Sequence, residues 1–576
     1  MNAAQLLQHY ERIADAPDAV ARLRRFVLDL AVRGKLLPQD PSDEPASELL
    51  LRILTDKKRL LNARAIRKGN VLTPISGSDQ SFKVPRSWIW VRLGDVCQLV
   101  TSGSRDWAQH YSSEGAIFVR MGNLSKDHYR LRLEHIQRVN APDSGEGTRT
   151  RLEAGDILIS ITGDVGMLGL IPEGFGEAYI NQHTAMVRPV PEMKGRYLAE
   201  LFRSPFAQAQ FNEPQRGIKN SFRLTDVTQF VVPLPPLAEQ RRIVAKVDEL
   251  MALCDRLETA RNEREANRDR LSSATLTRLN TPDGDAKVFA GHARFALGNL
   301  HTLTTRLDQI KHLRQTILNL AVRGKLVPQD TKDEPASKLL ARHFVQKSKA
   351  GIGRNWTAGM SEANDPMFDP PAGWAWTRIA DACARVTVGY VGTMKDQYVD
   401  AGIPFLRSQN VRANKFREEG MIFISPKFHQ TIIKSVLNAG DVVVVRSGNV
   451  GTACVIPETI TEANCSDLVV VQRPACVVPA FLCFYLNSLA ALHISAGAVG
   501  VALTHFNTKS VATMPLPLPP LAEQHRIVAK VDQLMALCDG LEASLTDSAA
   551  TLRHLLDALL ADALVTTAAK QREAAE

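Results

Sequence analysis

Nowhere among the 576 residues is there a run of about twenty uncharged apolar side chains, so no hydrophobic membrane-spanning helix is expected. No two cysteines form a CxxC pair. The eight, Cys97, Cys254, Cys383, Cys454, Cys465, Cys476, Cys483 and Cys538, read as reduced core thiols rather than a disulfide frame or a metal site. Gly-rich nucleotide loops of the GxxxxGK[ST] or GxGxxG kind are missing, as is a carboxylate and lysine cluster of nuclease spacing. His183 and His505 stand singly, which suits structural or contact roles better than catalysis. The opening MNAAQLLQHYERIADAPD has acids where a secretory leader would be apolar, so a cytoplasmic location is expected.

What remains is an ordinary soluble composition, 45% apolar and 23% charged, on a chain too long for a single core. The formal charge of +9 favours a polyanionic partner. The organising feature is a repeat. PLPPLAEQRRIVAKVDELMALCDRLE, Pro233 to Glu258, returns as PLPPLAEQHRIVAKVDQLMALCDGLE, Pro517 to Glu542. Only Arg241/His525, Glu249/Gln533 and Arg256/Gly540 differ.

Ile243, Val247, Leu250, Cys254 and Leu257, like Ile527, Val531, Leu534, Cys538 and Leu541, alternate in steps of four and three and write an apolar seam along one helix face. Two such seams can meet across a pseudo-two-fold axis. A second repeat, AVRGKLLPQDPSDEPASELL from Ala31 and AVRGKLVPQDTKDEPASKLL from Ala321, recurs at a similar separation. The duplicated unit is therefore half the protein: a leading helix, a middle domain and a trailing helix. Pro17 suits a first helical turn, Leu23, Val27 and Leu30 repeat at helical spacing, and Gly34 ends the run. Helix is expected from Leu237 to Leu279, where NTPDGD, Asn280 to Asp285, signals a turn.

The middle domains share only their punctuation. PRSWIWVRLGDV from Pro85 matches PAGWAWTRIADA from Pro371, GAIFVRMGNL from Gly115 matches GIPFLRSQNV from Gly402, and GDILISITGDVG from Gly155 matches GDVVVVRSGNVG from Gly440. Ile157 to Ile161 and Val442 to Val445 read as buried strands, and Arg196 to Phe211 and Val478 to Leu492 as helical stretches. Trp88, Trp90, Trp374 and Trp376, at strand-like spacing, read as core. A constant scaffold carrying two divergent domains fits a protein that grips one partner type and reads two targets. DNA, with its repeat of about 34 to 36 Å, rewards two readers on a rigid spacer.

The doubled PLPPLAEQ helix, AVRGKL ahead of each domain, and the GIPFLR and GDILI strand starts resemble the specificity subunit of type I restriction-modification systems, over essentially the whole chain. The resemblance implies an α+β protein with two mixed α/β target recognition domains, separated by long antiparallel coiled-coil helices, and an internal pseudo-two-fold repeat. The expected boundaries are an N-terminal helical segment 1–75, recognition domains 80–236 and 366–520, a central helical region 237–345 and a C-terminal spacer helix 521–576. Each domain would read half of a split, double-stranded DNA target. The chain would be non-enzymatic and without a cofactor of its own. Two adenine-methyltransferase modification subunits would carry S-adenosylmethionine, and restriction subunits would use ATP and Mg. The only near match to an adenine-methyltransferase NPPY or DPPY motif, Asp369-Pro370-Pro371-Ala372, lacks the aromatic that would stack on a flipped base and reads as a domain-opening turn.

Polar loops supply the candidate DNA contacts, because base edges and phosphates are met by Arg, Lys, Asn, Gln and small polar groups. In the first domain these are Arg105, Trp107, Arg120, Asn123, Lys126, His128, Arg130, Lys219, Asn220 and Arg223. In the second they are Tyr390, Lys395, Arg407, Gln409, Asn410, Arg412, Asn414, Lys415, His505 and Asn507. Glu239, Gln240, Arg242 and Lys246, with Glu523, Gln524, Arg526 and Lys530, are expected to be exposed and to dock a shared partner, as are Asp248 and Asp532. Arg33, Lys35, Arg323 and Lys325 suit that interface or phosphate binding. Two other readings fit the same letters: a related type II system whose partner fuses methylation and cleavage, and a coiled-coil scaffold that never touches DNA.

Overall fold

The structure, a computed structural model, describes residues 16, 18–64, 66, 71–103, 106–142, 145–212, 222–280, 285–349, 368–394, 396–488 and 507–573. Pro17 and residues 281–284 of the expected turn lie outside them. The chain divides into two compact units, one formed by Met1–Glu263 with Ala549–Glu576 and the other by Arg264–Ser548. Two helices, Leu237–Asn280 and Leu521–Glu573, each contribute residues to both units. At about 1.5 Å per residue, the 44 residues of the first extend about 66 Å. Among the described residues no helix is long and apolar enough to cross a membrane.

In the first unit the leading helix Ala19–Val32 ends where Arg33-Gly34-Lys35 turns the chain. Gly34 adopts φ +65°, and the Lys35 N–H reaches back to the Leu30 carbonyl at 2.9 Å, closing a Schellman turn. A Cβ at Gly34 would also sit 2.5 Å from Pro85 and 3.2 Å from Trp88. Glycine is thus required twice over, by backbone conformation and by close approach. The AVRGKL repeat encodes the same turn in the second unit, where Gly324 has φ +66°, the Lys325 N–H meets Leu320 O at 3.0 Å, and Pro371 and Trp374 close in. Pro371 of the Asp-Pro-Pro-Ala segment is thereby a packing residue at the opening of the domain.

Each domain begins and ends in one two-stranded ribbon. Ile89–Arg92 pairs antiparallel with Val231–Leu234, and Ala375–Arg378 with Pro515–Leu518. The prolines of PLPP are tolerated because these ribbons have free edges. Inside the first domain one antiparallel sheet runs Cys97–Ser102, Thr184–Pro189, Ile157–Ser160, Leu168–Leu170. A second runs Tyr111–Ser112, Gln137–Val139, Ala116–Val119, Ala178–Ile180, its last pair parallel. The second domain repeats both orders with Cys383–Val388, Leu468–Pro474, Val442–Val445, Ala453–Val455 and with Tyr398–Val399, Ile422–Ile424, Ile403–Leu406, Asn464–Cys465. The apolar runs are central strands covered on both faces. Ile157 and Ile159 join one core and Leu158 another, while Val442 and Val444 face away from Val443 and Val445. The expected helical stretches are shorter than the pattern suggested: Tyr197–Arg203 and Pro205–Asn212 break at Ser204, and the other spans Pro479–Leu486.

The helix seams are covered within each unit. Ile243 and Val247 belong to the first domain's core with Trp88 and Tyr197, and Cys254 packs on Val20 and Leu23 of the leading helix, beside Leu257 and Leu560. Likewise Ile527, Val531 and Cys538 join Ile310, Ile317 and Trp374. Trp88 and Trp374 are buried as expected, whereas Trp90 and Trp376 are half-buried. Each of the eight cysteines is buried and free.

Candidate nucleic-acid interface

In both domains the central strand, Ala116–Val119 or Ile403–Leu406, delivers an arginine at its C-terminal end and then one 3-10 turn. An asparagine three residues after the arginine closes that turn. Asn123 accepts from the Arg120 N–H at 2.9 Å and donates to Arg132 O at 2.8 Å; Asn410 accepts from Arg407 N at 3.0 Å and donates to Arg417 O at 3.0 Å. Both asparagines are buried. The expectation that they read bases is corrected: their amides are consumed in shaping the loop that follows. Arg120 and Arg407 are half-buried at its root.

The loops themselves differ. In the first domain Lys126, His128 and Arg130 are exposed, with Lys126 ion-paired to Asp164. Gly163 lies against Met121, Thr162 Oγ1 and His183 Nδ1 are 2.6 Å apart, and Gln182 Nε2 is 3.0 Å from His183 Nε2. The Gly103 N–H meets Asn181 O at 3.1 Å, and that of Phe222 meets Ile161 O at 2.8 Å. The chain segments at Gly103, Arg120, Thr162, Asn181 and Phe222 therefore gather on one side of the domain, and exposed Arg223 follows Phe222. Thr162 and Gln182 carry no signal in the sequence beyond their place just after a strand.

In the second domain Val411–Arg412 and Lys415–Phe416 form a tight hairpin, its turn holding Asn414 at φ +60°, a conformation that Asn tolerates. Arg412 and Lys415 are cross-strand partners and both exposed. Like charges held opposite one another are unfavourable. A polyanion would relieve that cost. Gln409 and Arg407 both donate to Gly420 O, at 2.8 and 3.2 Å. Ser447, at the position of Thr162, and Arg446 before it donate to Asp467 at 2.9 and 3.2 Å. Half-buried Tyr390 packs edge-on against Phe428 at 5.4 Å. Asn507 caps the short helix Thr508–Ala512 by accepting from Ser510 N at 2.8 Å.

Trp107 is not a surface reader. It is 2% exposed, its ring 5.0 Å from that of Phe118 and 5.3 Å from Tyr179. Arg105, Lys219, Asn220, Lys395 and His505 lie outside the described residues.

The expected exposed docking set needs a larger correction. Glu239, Gln240, Glu523 and Gln524 are buried. Glu239 accepts from Trp88 Nε1 at 2.8 Å and Gln39 Nε2 at 2.7 Å, and Glu523 from Trp374 Nε1 at 3.0 Å and Gln329 Nε2 at 2.7 Å. Burial holds both carboxyls above their ordinary range despite those donors. Gln240 donates to Pro235 O and Gln524 to Pro519 O, each at 3.0 Å. Arg242 forks onto Asp43 at 3.0 and 2.5 Å, as Arg526 does onto Asp333 at 3.3 and 2.5 Å. These residues therefore do have an internal reason to match: they lock trailing helix, PQD segment and tryptophan together in each unit. Lys246 and Lys530 stay half-exposed, and Asp248 and Asp532 are exposed. Arg33 pairs with Asp29 at 2.8 Å and lies over the Phe82 ring, while Arg323 donates to Asn280 O.

Residues 85–265 and 374–549 match the family model of the type I restriction modification DNA specificity domain. The chain is similar to the EcoEI specificity subunit of a type I restriction enzyme from Escherichia coli, 29% identical over 581 residues, covering 95% of this chain and 94% of that one. The EcoAI specificity subunit, also from Escherichia coli, is 29% identical over 566 residues, covering 94% and 93%. Among solved structures, the HsdS subunit from Thermoanaerobacter tengcongensis is 22% identical, covering 84% of this chain and 98% of that one, with a TM-score of 0.42.

Proposed function

The chain belongs to the type I restriction-modification DNA specificity family, and from that premise we propose that its two domains read the two halves of one split DNA target. The observation that carries this reading is a shared loop root with unshared loops. The Arg-x-x-Asn turn after the central strand is identical in design, whereas the loop that follows carries Lys126, His128 and Arg130 in the first domain and a hairpin with Arg412 and Lys415 in the second. Cations on such loops meet phosphates, and Arg120, Arg407, Gln409, His128 and Tyr390 supply candidate contacts to base edges. Thr162, Gln182, Ser447 and Arg446 join them.

The chain is a recognition and docking part without chemistry of its own. Two modification subunits bring S-adenosylmethionine, and restriction subunits bring ATP and Mg. Lys246 and Lys530, with the exposed faces around Asp248 and Asp532, are the docking residues; Glu239, Gln240, Arg242 and their counterparts hold those faces in shape. The test is to exchange residues 120–130 for those of another family member and sequence the methylated motif. One half-site should change and the other stay. Changes in both halves, or in neither, would overturn the reading.

A further inference from the structure

A chain of contacts in the first unit runs from the basic loop back to the trailing helix. Tyr129 sits between His128 and Arg130 and turns its side chain inward, half-buried where its neighbours are exposed. Its hydroxyl donates to Glu200 at 2.8 Å and accepts from Arg196 at 3.3 Å. Arg203, ion-paired with Glu200 at 2.7 Å, lies over the Tyr129 ring at 5.6 Å and donates to the Asp127 carbonyl at 3.0 Å. The Leu170 N–H meets the Tyr129 carbonyl at 2.8 Å. Burial and Glu200 push the phenol up to about 12, so it stays protonated and keeps donating. Arg196, at the start of the helix Tyr197–Arg203, then pairs with Asp248 on the trailing helix.

The second unit solves the same problem with other residues. Asn487, at the end of the helix Pro479–Leu486, donates to Asn414 in the hairpin turn at 2.7 Å, and its carbonyl accepts from Gln315 of the leading helix Leu307–Val322 at 3.1 Å. In each unit, then, the domain's own helix clamps the reading loop on one side and a scaffold helix on the other.

We infer that Tyr129 is a positioning residue that sets the first domain's specificity, holding Lys126, His128 and Arg130 in register through the clamp of Glu200, Arg196 and Asp248. The inference rests on the two-reader function proposed above. A loop fixed before binding has less freedom to lose on meeting DNA, so loosening it weakens discrimination most where that loop reads. Tyr129→Phe keeps the ring and its packing and removes only the hydroxyl. Arg196→Gln loosens the clamp at its link to the trailing helix and leaves the docking faces untouched.

The experiment is methylated-motif sequencing of cells carrying the full chain with its own neighbouring genes. Both variants should raise methylation at sites mismatched in one half by about fivefold, the scale of one net hydrogen bond, while mismatches in the other half stay rejected. A merely structural role would lower methylation at matched and mismatched sites alike and leave their ratio unchanged in both halves. Equal relaxation of the two halves, or none in either, overturns the inference while leaving the two-reader function standing. A wild-type chain that yields no split motif overturns both.

Discussion

Glu239 shows how a residue in a repeat can be read the wrong way round. Its identity with Glu523 suggested a shared external partner, because a charged residue on a helix ordinarily faces solvent. The structure turns both carboxylates inward onto an indole N–H and a glutamine amide. The clue was present in the letters: Trp88, Gln39 and Asp43 recur as Trp374, Gln329 and Asp333, so donors and acceptor were duplicated together. Burial raises the Glu239 carboxyl above its ordinary 4.5. The folded chain therefore holds a proton that the unfolded chain has released between 4.5 and the raised value. Stability from this group is present in full below that window and lost as pH rises through it. Glu239→Gln carries no titrating group. The difference in melting temperature between variant and wild type should shift in the variant's favour as pH rises through the window. A difference that stays constant from about pH 4 to 8 would mean that the carboxyl is not perturbed.

The elements were legible in proportion to how strongly their pattern was dictated by burial. The strands Ile157–Ser160 and Val442–Val445 stood out because a central strand covered on both faces must be apolar at every position. The turn at Gly34 was legible because only glycine satisfies both its backbone angle and its neighbours. The loops obey no such rule, and residues with the right chemistry proved to be of two kinds. Asn123, Asn410 and Trp107 build the loop or the core, whereas Arg130, Arg412 and Lys415 are exposed on it. The hairpin offers a test of that division. Lys415→Glu would set opposite charges across the Arg412 pair, and the domain should gain roughly 0.2–1 kcal/mol in chemical denaturation. DNA retention should fall at the same time, with a shallower dependence on salt. Loss of stability together with unchanged retention would show that the cationic pair serves the fold and not the DNA.

For the whole molecule, the duplicated letters disclosed the two-unit plan, and the resemblance supplied what no periodicity could: that the polyanion is DNA. The seam was legible as helix, yet its destination was not. A four-three alternation says that a face is covered and leaves open what covers it. In the first unit Ile243 and Val247 enter the domain core and Cys254 meets the leading helix, while within the second unit Leu276 and Leu279 pack with Ala296 and Leu303. Between Leu257 and Leu271 eight of thirteen residues are charged and none joins a hydrophobic core, so this is where a heptad can be removed at least cost to packing. Two helices contribute residues to both units, so the change must be matched, one heptad from each, to keep the flanking seam residues in phase with only Leu545 lost from a packed face. Removing residues 259–265 and 544–550 together shortens each helix by about 10 Å. At 3.4 Å per base pair, that distance corresponds to about three base pairs of DNA. Both half-site words should survive in the methylated motif, with the unspecified gap between them reduced by about three. An unchanged gap would show that something other than these helices sets the distance between the readers.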